Sequence, residues 1–264
     1  MKFHFLHSIK DLDRYYNTGE RPVIALCSDL NTYICKYKIS PQPAYKLASE
    51  FIGATFAKIW EINYPDFAFI RIKEKHWSSL NLSHSIECIS IGSLQQASVC
   101  DINKTTYYSL PQSLDLVFQL VTIALFDFWI ANEDRNANNS NLLFDILNNR
   151  LVPIDSGCIF NTSSYDVNLS QLTENDSIIH SYIFNHLGKN RMKEILDFLP
   201  TLKNIFQKNI EECNKSTQLL VNTLPEDWLV PEKIVKEKLK QLFSSNWIED
   251  TWLNFVDIIY TSFE

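Results

Sequence analysis

Two carboxylates and an amide occur in the middle of the 264-residue chain, in an order that suits phosphate chemistry. Asp134 lies in a polar run that follows a long apolar stretch, and Asn139 comes five residues later. Asp155 follows two short apolar runs and precedes Ser156 and Gly157. Phosphoryl transfer needs a carboxylate that orients the attacking hydroxyl, together with an amide and a carboxylate that hold Mg²⁺ against phosphate oxygens. This order predicts a phosphoryl-transfer site that contains Asp134, Asn139 and Asp155.

The elements around these residues must place them at the ends of regular structure. Residues 113–130 are apolar almost all round, which predicts a buried helix that ends where the polar run begins. Asp127, near the end of this helix, opposes the helix dipole and is expected to pair with Arg135. Residues 142–147 and 151–154 predict two strands joined by a turn. Aspartate and asparagine are common in turns, so only the ordered succession of these elements favours a kinase.

A lysine and a glutamate in the first third of the chain could hold the nucleotide. Residues 22–26 and 32–38 predict a hairpin, with Lys36 in its second strand. Residues 44–60 predict an amphipathic helix, and Glu50 borders its buried stripe. A strand lysine followed by a helix glutamate is the order that forms the lysine–glutamate ion pair of protein kinases. The alternatives are an edge-strand lysine that reaches water and a surface glutamate, and both are common.

The turn between the two predicted strands has no G-x-G-x-x-G sequence, so a glycine loop that cradles phosphate cannot be assigned to it. Ser28, Asn31 and Thr32 could supply hydroxyl, amide and backbone donors to a nucleotide instead. Further along the chain, Gly92-Ser93 predicts another turn, which either lies near a ligand or is simply a turn.

The composition is typical of a soluble globular protein, with 45% hydrophobic and 21% charged residues. A net charge of −7 argues against a nucleic-acid partner, because proteins that bind nucleic acids are normally basic. The 6 cysteines form no C-x-x-C pair, so reduced thiols are expected. The apolar run at the start of the sequence is too short for a signal peptide. Residues 114–131 contain Asp115, Gln119 and Asp127, which favours a core helix over a membrane span. A cytoplasmic protein that does not contact a membrane is expected.

Five segments together carry a family resemblance: Tyr33-Ile34-Cys35-Lys36-Tyr37, Glu50-Phe51-Ile52-Gly53, Phe126-Asp127-Phe128-Trp129-Ile130-Ala131-Asn132-Glu133-Asp134-Arg135, Asn139-Ser140-Asn141-Leu142-Leu143 and Pro153-Ile154-Asp155-Ser156-Gly157. They resemble the HipA-like serine/threonine kinases, especially the short forms that lack extra N-terminal modules. The resemblance covers roughly residues 20–160 and fades in the C-terminal helices. The segment with Asp134 and Arg135 is also distantly similar to the Asp-Arg loop of type II phosphatidylinositol 4-kinases.

The resemblance implies a protein-kinase-like α+β fold of two lobes, with ATP and Mg²⁺ between them. Residues 1–110 would form a small, strand-rich N-lobe with one helix, and residues 111–264 a mostly helical C-lobe. Two features depart from the family pattern. Ser156 follows the second acid where His or Phe is expected, and the phosphate-facing turn lacks glycine.

The resemblance also implies a role for each candidate residue. Asp134 would orient and deprotonate the attacking hydroxyl, and Asn139 and Asp155 would bind Mg²⁺. Lys36 would contact the α- and β-phosphates of ATP, and Glu50 would steady Lys36.

Three functions follow from these observations. The first is an ATP- and Mg²⁺-dependent kinase that phosphorylates a protein on serine or threonine, and the family likeness adds a toxin-type regulator restrained by an inhibitory protein partner. The second is a kinase of a small molecule or lipid headgroup, since a fold does not determine the acceptor. Its lipid form is weaker because the chain has no basic amphipathic helix or lipidation signal. The third is a pseudokinase-like module that binds nucleotide without turnover, and the complete set of predicted catalytic and metal-binding residues argues against it.

Overall fold

The structure, a computed structural model, describes residues 2–77, 80 and 89–263. Its strands are β1 (Phe5–His7), β2 (Val23–Leu26), β3 (Thr32–Lys36), β4 (Phe67–Arg71), β5 (Ile89–Leu94), β6 (Val99–Asp101), β7 (Leu142–Asp145) and β8 (Arg150–Pro153). Its helices are α1 (Tyr45–Ile59), α2 (Leu114–Ile130), α3 (Ile159–Ser163), α4 (Tyr182–Leu187), α5 (Met192–Thr223), α6 (Glu232–Leu242) and α7 (Ser245–Thr261). A strand-rich front part and a helical rear part confirm the predicted α+β class.

The front part is a five-stranded sheet with the order β1-β4-β5-β3-β2. β1 is parallel to β4, and the other neighbours are antiparallel, so the predicted β2–β3 hairpin is confirmed. Gly92 and Ser93 lie inside β5 rather than in the predicted turn. A Cβ on Gly92 would displace the end of the buried Ile70 side chain and lie 3.1 Å from the Cβ of Tyr33, so a larger residue here would require its neighbours to move.

Alternation along β3 determines which side chains reach the cleft between the two parts. Tyr33 and Cys35 are buried in an apolar cluster with Leu12 and Trp77 on one face of the sheet. Ile34 and Lys36 point to the opposite face and are partly exposed. The sheet therefore buries one side of β3 and presents the lysine on the other.

Aromatic packing joins α1 to both parts of the molecule. The Phe51 ring lies 4.9 Å from that of Phe69 in β4, between ring centroids. Near the end of the helix, Trp60 stacks on Trp129 of α2 at 5.5 Å. Both Phe51 and Trp129 are fully buried, so the position of α1 is determined by the main hydrophobic core.

The rear part is built around α2, which is buried along most of its length as its apolar sequence predicts. The three-stranded sheet β6-β7-β8 packs beside it. Because β6 pairs with β7, we propose a lobe boundary between β5 and β6 rather than at residues 110–111. Helix α5 contains Pro200 and continues through it.

The connection between α5 and α6 returns to the front part and docks on it. Trp228 is fully buried, and its indole N–H donates to the Ile89 carbonyl at 2.5 Å. The Trp228 carbonyl accepts the backbone N–H of Ala44, just before α1, and Asp227 accepts the N–H of Ile89. A rear segment thus braces the start of α1 and the start of β5.

None of the helices in the described part of the chain is long and apolar enough to cross a membrane. Cys88 lies outside the described residues, and the other cysteines are free thiols, as predicted.

Candidate active site

Lys36 lies at the centre of the candidate site, between one carboxylate from each part of the fold. Its ammonium Nζ is 2.8 Å from Oε2 of Glu50 in α1 and 2.5 Å from Oδ1 of Asp155, which follows β8. The Lys36 side chain is 14% exposed and that of Glu50 is 4% exposed. The predicted lysine–glutamate pair is therefore present, and Asp155 joins it from the other side of the cleft.

The pKa values in this cluster follow from burial and charge together. Burial alone would lower the pKa of Lys36, but Glu50, Asp155 and Glu20 outweigh it and hold that pKa well above its usual range. Burial raises the pKa of Glu50, and Lys36 offsets this only in part. Burial would also raise the pKa of Asp155, but Lys36 and the Gly157 N–H lower it below its ordinary value. Lys36 is thus held charged between its partners.

Tyr64, which the sequence analysis missed, orients Glu50. Its hydroxyl donates to Oε1 of Glu50 at 2.8 Å, leaving Oε2 for Lys36. Ser156 in turn donates to the Tyr64 hydroxyl at 3.3 Å. Tyr64 lies 14 residues beyond Glu50, outside any helical repeat that could have indicated the contact.

Close packing explains why a serine, rather than the His or Phe of the family pattern, follows Asp155. A Cβ built on Gly53 of α1 would lie 2.4 Å from the Ser156 Cβ. Ser156 is also only 1% exposed. The Asp155-Ser156-Gly157 turn therefore packs directly against the backbone of α1, where a large aromatic ring has no room.

Asp134 is held by two asparagine amides from its own loop. The Asn139 side-chain N–H donates to Oδ1 of Asp134 at 3.1 Å, and that of Asn141 donates to Oδ2 at 2.9 Å. Each oxygen of the carboxylate thus has one amide donor, which determines its orientation. The side chain stays partly exposed, so an acceptor hydroxyl can approach it.

The neighbouring Arg135 ties this loop to the rest of the site. It is 1% exposed and forms the predicted pair with Asp127, which is confirmed. Its second guanidinium nitrogen donates to the Ile154 carbonyl at 2.9 Å, immediately before Asp155. Arg135 therefore links α2, the Asp134 loop and the Asp155 turn.

The charges of both acids act on the thiol of Cys158, three residues after Asp155. Burial raises the pKa of its thiol to about 11, and the charges of Asp134 and Asp155 both add to that rise.

Asp155 itself has a left-handed backbone with φ of 60°, a conformation that costs a non-glycine residue about 1 kcal/mol or more. Its lysine contact, backbone hydrogen bond and packing hold it there.

The chain after Cys158 folds back onto the Asp134 loop through Glu133. Helix α3 is a left-handed turn, with φ of 52° at Asn161 and 62° at Thr162. The Asn161 amide donates to Oε1 of Glu133 at 2.7 Å, and the Thr162 hydroxyl donates to Oε2 at 2.8 Å. Sequence reasoning missed Glu133, because nothing in its local pattern distinguishes it from a surface acid.

The structure does not bring Ser28 and Asn31 to Lys36. They lie in the turn before β3, at the opposite end of that strand from Lys36. The Ser28 hydroxyl accepts the His7 N–H, and the Asn31 amide donates to Asp29. Thr32 shares the Lys36 face of β3 but lies four residues away.

The turn that does reach Lys36 is the preceding one, at residues 17–21. Tyr15 pairs with Val23, and the Tyr16 N–H donates to the Pro22 carbonyl at 2.9 Å, which closes a hairpin ahead of β2. Glu20 in this turn lies 3.5 Å from the Lys36 ammonium. The Asn17-Thr18-Gly19 run was the sequence signal that could have indicated a turn here.

The donor set fits a magnesium ion. Asn139 uses its N–H on Asp134, which leaves its amide oxygen available. Oδ1 of Asp155 takes Lys36 and the Gly157 N–H, and Oδ2 accepts no hydrogen bond from the described residues. Hard oxygen donors of this kind are the ligands Mg²⁺ prefers, usually one or two from protein with phosphate and water completing the shell.

Comparisons with known proteins identify a kinase family and a similar fold. The model of the HipA-like kinase family matches residues 9–255. The fold is similar to the crystal structure of a Helicobacter pylori proinflammatory kinase, CtkA, with a TM-score of 0.56 and 10% identity over 95% of this chain and 97% of that chain. At this identity the likeness concerns the fold alone. No curated protein matches the chain.

Proposed function

The chain belongs to the HipA-like kinase family, and we propose that it transfers the γ-phosphate of ATP to a serine or threonine hydroxyl of a protein. The observation that carries this proposal is the Lys36 ammonium, held between Glu50 of the front part and Asp155 of the rear part. In kinases of this architecture, the lysine–glutamate pair and the metal-binding aspartate must both be in position for transfer.

Asp134 is proposed to act on the acceptor. Its carboxylate, oriented by the amides of Asn139 and Asn141, accepts the hydroxyl proton as the hydroxyl oxygen attacks the γ-phosphorus. The bond from the γ-phosphorus to the bridging oxygen breaks, and ADP leaves with that oxygen. The reaction is thus a displacement in which positioning and charge stabilisation supply most of the rate.

Lys36 is proposed to bind the α- and β-phosphates, and Asn139 and Asp155 to hold Mg²⁺. The metal would neutralise charge on the phosphate oxygens, and Asp155 could hold it with Oδ2 while Oδ1 keeps its contact with Lys36. Glu50, hydrogen-bonded to Tyr64, keeps Lys36 in position throughout. The toxin role and the inhibitory partner that the family likeness implies stay predictions.

The intact mass of the purified protein with and without Mg-ATP, measured beside Asp134→Asn, tests this proposal. The amide in the variant cannot take up the proton as the carboxylate does, so we expect the parent alone to gain phosphate on itself or on an added protein mixture. The thermal stability of both proteins with Mg-ATP serves as the control for nucleotide binding.

The outcomes separate the candidate functions. Stabilisation of both proteins by Mg-ATP, with phosphate appearing only on small molecules or lipids, would replace the protein acceptor by another acceptor class. Stabilisation without any product would favour a binding module. Transfer by Asp134→Asn at the parent rate would overturn the role of Asp134.

A further inference from the structure

Glu20 holds two lysines that face the same cleft. Its Oε2 is 3.5 Å from the Lys36 ammonium, and its Oε1 is 2.9 Å from the ammonium of Lys46 in the first turn of α1. The hydrogen bond to Glu20 raises the pKa of Lys46. One carboxylate in the turn at residues 17–21 thus bridges the strand lysine and a second lysine on the helix.

The surroundings of Glu20 differ from those of the other carboxylates on Lys36. Glu50 is also hydrogen-bonded by a buried tyrosine, and Asp155 by a backbone N–H. Among the described residues, the groups that hold the Glu20 carboxylate are the two lysines. Residues 13–19 are exposed, so moving this turn would uncover little apolar surface.

The charge balance makes Glu20 a competitor of phosphate. Lys36 already faces three carboxylates, and a nucleotide phosphate at Lys36 would add further negative charge beside them. Like charges this close repel unless one of them moves or is neutralised. Of the three, Glu20 makes the longest contact with Lys36, at 3.5 Å, and its other partner is a lysine side chain rather than a buried hydroxyl or a backbone N–H.

Resting on the proposed ATP-dependent transfer, we propose that Glu20 is a displaceable carboxylate whose two lysine contacts are taken over by the phosphates of ATP. Lys46 is then a second phosphate-binding lysine beside Lys36. The cleft these residues line has a volume of about 480 Å³, and Thr162 and Ser163 also line it. Glu20 weakens the affinity for polyphosphate and leaves the affinity for the nucleoside unchanged.

The competing explanation is that Glu20 only ties the turn at residues 17–21 to α1. In that case its removal would lower stability and would not improve nucleotide binding. The two explanations predict opposite signs for the change in ATP affinity, so a binding measurement separates them.

The test compares the dissociation constants of Mg-ATP and of adenosine for the full chain and for Glu20→Gln, by competition with a fluorescent ATP analogue. We expect Glu20→Gln to tighten Mg-ATP binding on the order of fivefold, the size of a screened charge contact, and to leave adenosine binding unchanged. Asp66→Asn is the matched control, because it removes a 2.7 Å carboxylate–lysine pair at the opposite end of the same helix. It should change neither constant.

Lys46→Gln is the second variant in this binding measurement, and it tests whether Lys46 binds phosphate. It should weaken Mg-ATP binding several-fold, and in the Lys46→Gln background the gain from Glu20→Gln should shrink because only the Lys36 contact remains. The proposal is overturned if Glu20→Gln leaves Mg-ATP affinity unchanged or weaker, or if ATP and adenosine tighten equally. A parent protein that binds no Mg-ATP would instead refute the proposed function itself, and this inference with it.

Discussion

Gly53 and Ser156 are in contact across the interface between α1 and the Asp155 turn, so closely that a Cβ on Gly53 would lie 2.4 Å from the Ser156 Cβ and 2.9 Å from its hydroxyl oxygen. The glycine sits in the middle of a helix, where it costs about 1 kcal/mol relative to alanine. Close approach of the helix to the turn compensates for this cost, because it brings Glu50 and Asp155 onto the same lysine.

The first prediction concerns this contact. Gly53→Ala, which would stabilise an isolated helix, is expected to displace Ser156 and the adjacent Asp155 and to lower phosphate transfer about tenfold or more. Phosphate transfer and urea denaturation would be measured for both proteins.

Ser156→Gly in the Gly53→Ala background provides the control, because it removes the side chain that the new methyl group meets. Transfer should recover in part in this double variant, although the Ser156–Tyr64 hydrogen bond is lost. A single Gly53→Ala variant that is more stable and fully active would show that the turn adapts to the methyl group at no cost.

The second prediction concerns the buried Arg135–Asp127 pair. Arg135→Met leaves the Asp127 carboxylate buried without its cation, and breaking such a pair costs about 3–5 kcal/mol in the free energy of unfolding. The same change frees the Ile154 carbonyl, so transfer should fall as well. Chemical denaturation gives the stability, and a transfer assay below the midpoint gives the activity.

The double variant Asp127→Leu/Arg135→Met distinguishes the two roles of the pair. Removing both charges should restore much of the lost stability, because no uncompensated carboxylate remains. Transfer should stay low, since the contact between the loop and Ile154 is still missing. Full recovery of transfer would mean that Arg135 does not position the Asp155 turn.

The third prediction concerns Glu50 and pH. Burial raises the pKa of Glu50 above the unfolded value of about 4.3, so its contribution to stability is fully present below that pH and is lost as the pH rises through the folded pKa. Glu50→Gln removes the ionisable carboxyl group, and with it this loss of stability at higher pH. The free energy of unfolding of the variant, relative to the parent, should therefore rise with pH from the unfolded pKa to the folded pKa.

Phosphate transfer by Glu50→Gln should be slower than by the parent, because a neutral amide no longer balances the Lys36 charge. Urea denaturation at several pH values gives the stability difference, and initial rates at neutral pH give the activity. Glu61→Gln, at an exposed position just after the same helix, is the control and should alter neither. A stability difference that does not change with pH would contradict the raised pKa of Glu50.

The parts of this site that depend on short-range order were predictable from the amino-acid sequence. Asp134, Asn139 and Asp155 lie within one continuous segment, and apolar periodicity predicts the helix and hairpin that carry them. The Lys36–Glu50 pair was predictable for a similar reason, since strand alternation and helical spacing each specify a face. Local pattern therefore indicated phosphoryl-transfer chemistry and its candidate residues, and the family resemblance indicated the fold class.

The same reasoning could not identify which turn approaches Lys36. The sequence analysis assigned nucleotide contacts to the turn that holds Ser28 and Asn31, whereas the turn that carries Glu20 is the one that reaches Lys36. Both turns are short and polar, and Gly19 indicates that a turn is present but not which part of the fold the turn faces. Only the order of strands in the sheet decides which turn overhangs the cleft.

Contacts between distant residues depend on the folded chain as a whole. Trp228 meets Ile89 across 139 positions and Lys36 meets Asp155 across 119, and the glycine at position 53 is needed only because Ser156 packs against it. A periodic pattern specifies which face of an element is buried, but the partner on the other side is selected by packing of the whole chain. For that reason the sequence indicates the chemistry of this site, while the folded core determines its geometry.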